Sequence, residues 1–219
     1  MIILTATQRL QITKPTMAKR VLIQFAHPAL QKSRVNRRLI AAVSNLENVT
    51  INDLYEEYPD FSVNVKREQD LLRSHDIVVF QHPFYWYSSP ALLKEWTDLV
   101  LEYGFAYGGD SAELNGKWAL SAITTGGPVS AYQRSGGNYF TLRELLTPFE
   151  QTVRFCGMVY LPPFVISGTF ALKNTDEITG FAALYRYAVE SLRDGRLNSG
   201  AFEHASYLNE VLRPSSSIA

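Results

Sequence analysis

The sequence predicts an α/β fold, a three-layer sandwich in which a five-stranded parallel sheet is covered by helices on both faces. Short apolar runs rich in β-branched residues recur along the chain. Each is followed by a segment whose apolar residues have helical spacing. Strands that alternate with helices in this way form parallel sheets that are buried on both faces. The 219 residues are enough for one domain with a sizeable core.

Five strands and five principal helices follow from this alternation, with Pro83 ending the third strand. Ser33 is a candidate cap for the first helix. Ser89 is a candidate cap for the helix after the third strand, with Pro90 as its first residue. The expected strand order is 2-1-3-4-5, the flavodoxin-like arrangement. The predicted strands are 20–26, 49–54, 77–80, 117–124 and one within 159–167. The predicted helices are 35–46, 66–74, 92–100, 141–155 and 177–193.

The charge balance, the cysteine count and the lack of long apolar runs limit the class of protein to which this chain can belong. Lys+Arg and Asp+Glu number 21 each, so nothing indicates binding to nucleic acid. One cysteine, Cys156, excludes an intrachain disulfide framework and suits a reducing cytoplasm. The four histidines lack metal-ligand spacing, and no apolar run approaches the ~20 residues of a membrane span. We expect residues 1–16 to be a disordered upstream extension, 17–197 the domain and 198–219 a frayed tail.

Three loops follow strands one, three and four, and the predicted strand order brings them to the same edge of the sheet. The first, His27 to Asn36, ends at a helix N-terminus, where free amides favour a phosphate. The second, Phe84 to Tyr87, is four consecutive aromatic residues. The third, Thr124 to Gly127, places two glycines where the backbone must approach something closely.

Each loop also has a simpler explanation. The first could be an ordinary capped helix, the second core packing or an interface, and the third a plain turn. Together, however, a phosphate-binding helix end, an aromatic wall and a Gly-containing turn describe a site for flavin mononucleotide (FMN). In this hypothesis the phosphate lies at the first loop and the ring system between the other two.

Several motifs also resemble those of the flavodoxin-like NAD(P)H:quinone oxidoreductases, and above all the ancillary flavoproteins of bacterial glutathione-regulated potassium-efflux systems. The resemblance covers roughly residues 19–193. The motifs are AHP…S-x-x-N (26–36), QHPFYWYSSPALLKEW (81–96), YPDF (58–61), GFAYG (104–108), LNGK (114–117), TTGG (124–127) and CG-x-x-x-LPPF (156–164).

The resemblance implies FMN rather than FAD as cofactor, NAD(P)H as reductant, a quinone as substrate and a homodimer. It implies Tyr132 as a catalytic contributor. A histidine that some family members carry nearby is replaced here by Asn138, which cannot take up a proton. The implied cofactor-binding residues are His27, Ser33, Arg34, Val35, Asn36, Phe84, Tyr85, Trp86, Tyr87, Thr124, Thr125, Gly126 and Gly127.

Two functions remain in competition at this stage. One is an enzyme, the FMN-dependent quinone oxidoreductase. The other is a regulatory subunit that binds and activates a membrane potassium-efflux transporter, which would hold a cytoplasmic protein at the inner membrane. A third, an electron-carrying flavodoxin, suits the neutral charge and the aromatic loop less well.

Overall fold

One parallel sheet organises the computed structural model, which describes residues 18–109, 113–197, 199–202 and 205–212. The strands are β1 (Val21–Phe25), β2 (Val49–Asp53), β3 (Ile77–Pro83), β4 (Trp118–Thr124), β5 (Val159–Tyr160) and β6 (Phe164–Ile166). Their order is β2-β1-β3-β4-β5, with β6 also paired to β4, and every pairing is parallel. The predicted fold class and strand order are therefore confirmed.

Helices cover both faces of the sheet. They are α1 (Arg34–Val43), α2 (Leu54–Glu57), α3 (Val65–Ser74), α4 (Ala91–Val100), α5 (Leu142–Leu145), α6 (Thr147–Phe155), α7 (Thr175–Arg193) and α8 (Leu208–Val211). Single 3-10 turns occupy Leu30–Lys32, Val129–Ala131 and Ser199–Phe202. Within the described residues, none of these helices has both the length and the apolar character needed to cross a bilayer.

Successive side chains of a strand point to opposite faces of the sheet, so the protein has one apolar core on each face. On β1, Val21, Ile23 and Phe25 pack with residues of α1 and α7. Leu22 points to the opposite face and joins the core that includes residues of α3, α4 and α6. Because β1 and β3 are buried along their whole length, both faces of the sheet are covered and the sheet is the middle layer of three.

Local prolines explain three differences from the sequence-based expectations. Pro90, and not Ser89, is the N-cap residue of α4, without a side-chain capping bond. The predicted helix 141–155 is two helices, because Pro148 has no N–H to donate to the Glu144 carbonyl. The Thr147 hydroxyl donates to that carbonyl instead, at 2.7 Å. The predicted fifth strand is split into β5 and β6 around two further prolines, Pro162–Pro163.

The C-terminal segment is packed where the structure describes it. Leu208 and Leu212 are buried in the core beside α7. The Asn209 side chain accepts from the backbone N–H of Val165 at 2.9 Å and donates to its carbonyl at 3.1 Å. The expectation of a frayed tail is therefore wrong for residues 205–212, whereas residues 1–16 and 213–219 lie outside the described residues.

A buried carboxylate joins the elements on the α3 side of the sheet. Glu68 is completely buried, and its Oε2 atom accepts from three side chains at 2.8 Å each. Its Oε1 atom accepts from a phenol and a guanidinium. This carboxylate therefore links two strands, two helices and the residue that follows α2. The five donors are Gln24, Asn52, Tyr58, Arg67 and Trp96.

Candidate functional site

The loops after β1, β3 and β4 meet at the carboxyl edge of the sheet, as the strand order requires, and enclose a cleft of about 720 Å³. Residues of all three loops line the cleft. Thr125 is the exception among the residues proposed for the cofactor: it is 1% exposed, and its hydroxyl donates to the Gly127 carbonyl at 2.9 Å. It therefore shapes the turn behind the cleft wall. The proposed residues in the lining are His27, Ser33, Arg34, Val35, Asn36, Phe84, Tyr85, Trp86, Tyr87, Thr124, Gly126 and Gly127.

The first loop presents hydrogen-bond donors to the cleft. The Ser33 hydroxyl accepts from the Asn36 backbone N–H at 3.1 Å, so the predicted cap is confirmed. The amides of Arg34 and Val35 begin α1 and have no carbonyl acceptor within the helix. His27 Nδ1 accepts from the Ala29 backbone N–H at 3.1 Å, and burial lowers the pKa of His27. The ring is therefore neutral at pH 7, with its proton on Nε2.

The second loop is a strained aromatic turn. Tyr85 and Ser88 form an antiparallel bridge, and the residues between them, Trp86 and Tyr87, have φ angles of 48° and 62°. Both are bulky residues in the left-handed region, which L-residues other than glycine rarely adopt. Trp86 is 92% exposed although it lines the cleft, whereas Phe84 is buried beneath the turn. Strain of this kind is concentrated at functional sites.

The third loop is joined to the loop that follows β6. The hydroxyl and the backbone N–H of Thr169 both donate to the Thr125 carbonyl at 3.0 Å, and the Gly168 N–H donates to the Gly127 carbonyl at 2.7 Å. The Phe170 ring lies directly against Gly126, since a Cβ atom there would be 2.3 Å from its Cε2. The close approach that Gly126 permits in this structure is therefore to Phe170.

Tyr132 and Asn138 occupy the loop after the Gly-containing turn. Tyr132 lines the cleft, and burial raises the pKa of its phenol. Asn138 Oδ1 accepts from the Tyr87 hydroxyl at 2.9 Å. This bond connects the second loop to the loop after the Gly-containing turn. The Asn138 amide nitrogen can still donate a hydrogen bond, but the amide cannot take up a proton.

A family model for the flavodoxin-like fold matches residues 19–188. The chain belongs to this family. The flavodoxin-like chain is 48% identical over 147 residues to the glutathione-regulated potassium-efflux system ancillary protein KefG of Enterobacter sp. (strain 638), covering 67% of this chain and 80% of the relative.

Solved structures agree with the family assignment. General stress protein 14 from Treponema denticola, in complex with FMN, has 35% sequence identity and a TM-score of 0.75, covering 79% of this chain and 99% of that one. An NADPH-quinone reductase from P. pentosaceus has 34% identity and a TM-score of 0.70, covering 78% and 97%. The flavodoxin-like chain is thus similar to an FMN complex and to a quinone reductase.

Five further residues line the cleft of the flavodoxin-like chain and were not predicted. Thr169 and Phe170 belong to the loop after β6. This loop also follows a strand at the carboxyl edge, so the argument used for the other three loops could have found it. Pro83, as the last residue of β3, could have been found in the same way. The remaining two are Ala29 and Lys32 of the first loop.

Proposed function

We propose that this protein is an FMN-dependent NAD(P)H:quinone oxidoreductase with the cofactor in the cleft. The observation that carries the proposal is the convergence of the α1 N-terminus, the aromatic turn and the Gly-containing turn on one cleft. Its volume of about 720 Å³ is typical of sites for small molecules and cofactors.

The residues around the N-terminus of α1 give the cleft the chemistry of a phosphate site. The Ser33 hydroxyl, the first amides of α1 and the Nε2–H of His27 are donors, and Arg34 adds a positive charge. No Asp or Glu is among the described residues that line the cleft. A helix N-terminus with such neighbours stabilises an anion. These residues therefore fit the phosphate of FMN.

A second group of residues in the cleft lining has the chemistry of a site for a flat ring. Tyr85, Trp86 and Tyr87 come from the aromatic turn, Tyr132 from the loop after the Gly-containing turn and Phe170 from the loop after β6. Aromatic side chains bind planar ring systems by stacking and edge contacts. FMN, when bound, supplies the redox chemistry by which electrons pass from NAD(P)H to a quinone. The protein's part is to hold the ring, exclude water and provide polar contacts, to which Tyr132 contributes a phenol.

The similar proteins support the cofactor and the substrate class. One solved relative is an FMN complex, and another is an NADPH-quinone reductase. The test is a visible absorption spectrum of the protein titrated with FMN, followed by NADPH and then menadione. We expect a bound-flavin spectrum that NADPH bleaches and menadione restores. Absence of FMN binding would overturn the proposal.

A second function is favoured by the 48% identity to KefG, an ancillary protein of a potassium-efflux system. The chain would then bind a membrane potassium-efflux transporter, as a homodimer at the cytoplasmic face of the inner membrane. Bound FMN without NADPH oxidation, together with co-purification of the transporter, would favour this regulatory role over the enzyme. Size-exclusion chromatography with light scattering tests the dimer.

A further inference from the structure

A chain of buried polar side chains runs from α7 to the cleft. The Tyr185 hydroxyl donates to Gln81 Oε1 at 2.7 Å. Gln81 Nε2 donates to Asn36 Oδ1 at 3.5 Å, the longest link. Asn36 Nδ2 donates to Thr124 Oγ1 at 3.0 Å. None of the four is more than 6% exposed, and only Asn36 and Thr124 line the cleft.

The donor and acceptor roles along this series of hydrogen bonds are set by Tyr185, at the end away from the cleft. Gln81 Oε1 is the acceptor that the structure gives to the Tyr185 phenol. If the Gln81 amide were reversed, the phenol proton would be buried without an acceptor, which is unfavourable. The Oε1 atom of Gln81 therefore faces Tyr185, and its NH₂ group faces Asn36. The Oδ1 atom of Asn36 is fixed toward Gln81 as a result, and its NH₂ group toward the cleft wall.

This orientation of the Asn36 amide determines the hydrogen bonding of two hydroxyl groups, those of Ser33 and Thr124. Asn36 Nδ2 lies 3.0 Å from Thr124 Oγ1 and 3.4 Å from Ser33 Oγ. Ser33 Oγ also accepts from the Asn36 backbone N–H at 3.1 Å. Each hydroxyl thus accepts from Asn36, and among the described residues neither donates to another group. Each has one proton left to donate, and both residues line the cleft.

We infer that Tyr185 and Gln81 are positioning residues that turn the hydroxyl protons of Ser33 and Thr124 into the cleft, so that the site selects a phosphate-bearing flavin over one that lacks the phosphate. This inference rests on the proposed function, because FMN is taken as the ligand. The two hydroxyls are within reach of one amide nitrogen at the N-terminus of α1, where a phosphate is favoured.

The test compares FMN with riboflavin, which differs only by the phosphate. Tyr185→Phe keeps the buried ring and removes the hydroxyl that orients Gln81. Gln81→Met removes the next link. The matched control is Tyr160→Phe, which removes another buried phenol whose hydroxyl bonds the Ser121 hydroxyl at 2.8 Å, outside the cleft lining. Flavin fluorescence titrations give the dissociation constants, and urea unfolding reports the stability of each variant.

We expect Tyr185→Phe to weaken FMN binding by roughly tenfold, since a bond to a charged group is lost or misdirected, and to leave riboflavin binding unchanged. The double variant Tyr185→Phe/Gln81→Met should bind FMN no more weakly than either single variant, because both substitutions act through Asn36. Tyr160→Phe should bind both flavins as the wild type does.

Equal losses for FMN and riboflavin in Tyr185→Phe would overturn the inference, because they would indicate a general loosening of the cleft. Unchanged FMN binding would overturn it as well, while leaving the proposed function intact. If the wild-type protein bound no FMN, the proposed function itself would fail, and the inference with it.

Discussion

One substitution in the strained aromatic turn should change the stability of the fold and the affinity for FMN in opposite directions. Trp86 has a φ angle of 48° and is 92% exposed. Asparagine tolerates the left-handed conformation, as Asn48 does in this chain with a φ angle of 60°. We therefore expect Trp86→Asn to stabilise the fold while it weakens FMN binding.

The size of the expected stability change follows from the backbone strain at Trp86 and from how little of its side chain is buried. A bulky residue in the left-handed region costs about 1–2 kcal/mol, most of which asparagine recovers. Because the Trp86 side chain is exposed, its removal sacrifices little apolar burial. The net gain should be about 1 kcal/mol, a rise of roughly 2–4 °C in melting temperature for a domain of this size. Loss of one aromatic wall should weaken FMN binding by about tenfold.

Urea unfolding of the apoprotein and fluorescence titration with FMN measure the two effects. Phe61→Asn is the matched control, because Phe61 also has a positive φ of 67° but does not line the cleft. It should relieve strain without a change in FMN affinity. A loss of stability in Trp86→Asn would refute the strain argument, and an unchanged FMN affinity would refute the role of Trp86 as a cleft wall.

Three further predictions concern other parts of the molecule. Glu68→Gln should destabilise the fold by about 3 kcal/mol in urea unfolding, since buried donors lose their charged acceptor, whereas the exposed Glu113→Gln should have no measurable effect. Burial lowers the pKa of His82 from 6.5 to about 4, so the unfolded chain takes up the proton first. Stability should then fall by about 3 kcal/mol between pH 6.5 and 4, and His82→Leu should flatten this dependence; an unaltered slope would contradict the assignment. Asn138→His should raise quinone turnover below about pH 6.5 in a steady-state assay, since histidine can carry a proton there; equal rates would show that no proton is needed at this position.

The sequence predicted the parts of the structure that depend on local pattern. Apolar runs located the strands, and helical spacing located the main helices, because side-chain periodicity follows directly from strand and helix geometry. The general rule for open α/β sheets then placed three loops at one edge, which the cleft confirms as a geometric grouping. Ser33 was predictable as a cap for the same local reason.

What the sequence could not predict depends on contacts between distant residues. Glu68 lies in a segment rich in charged residues, a composition typical of exposed helices, yet it is completely buried and accepts hydrogen bonds from β1, β2 and α4. Phe170 is against Gly126 only because the loop after β6 is hydrogen-bonded to the loop after β4. Leu208 is buried in a core cluster to which β6 and α7 also contribute residues. No periodicity in the chain encodes these three placements.

The split between β5 and β6 has a consequence for how copies of this protein behave at high concentration. The three residues Leu161 to Pro163 lie opposite two residues of β4, so the sheet ends in a bulge between strands of two and three residues. Pro162 and Pro163 have no N–H to offer to an incoming strand. Such a short, interrupted edge cannot template the addition of another chain. Aggregation through the sheet should therefore begin at the opposite edge, along β2, if it occurs at all.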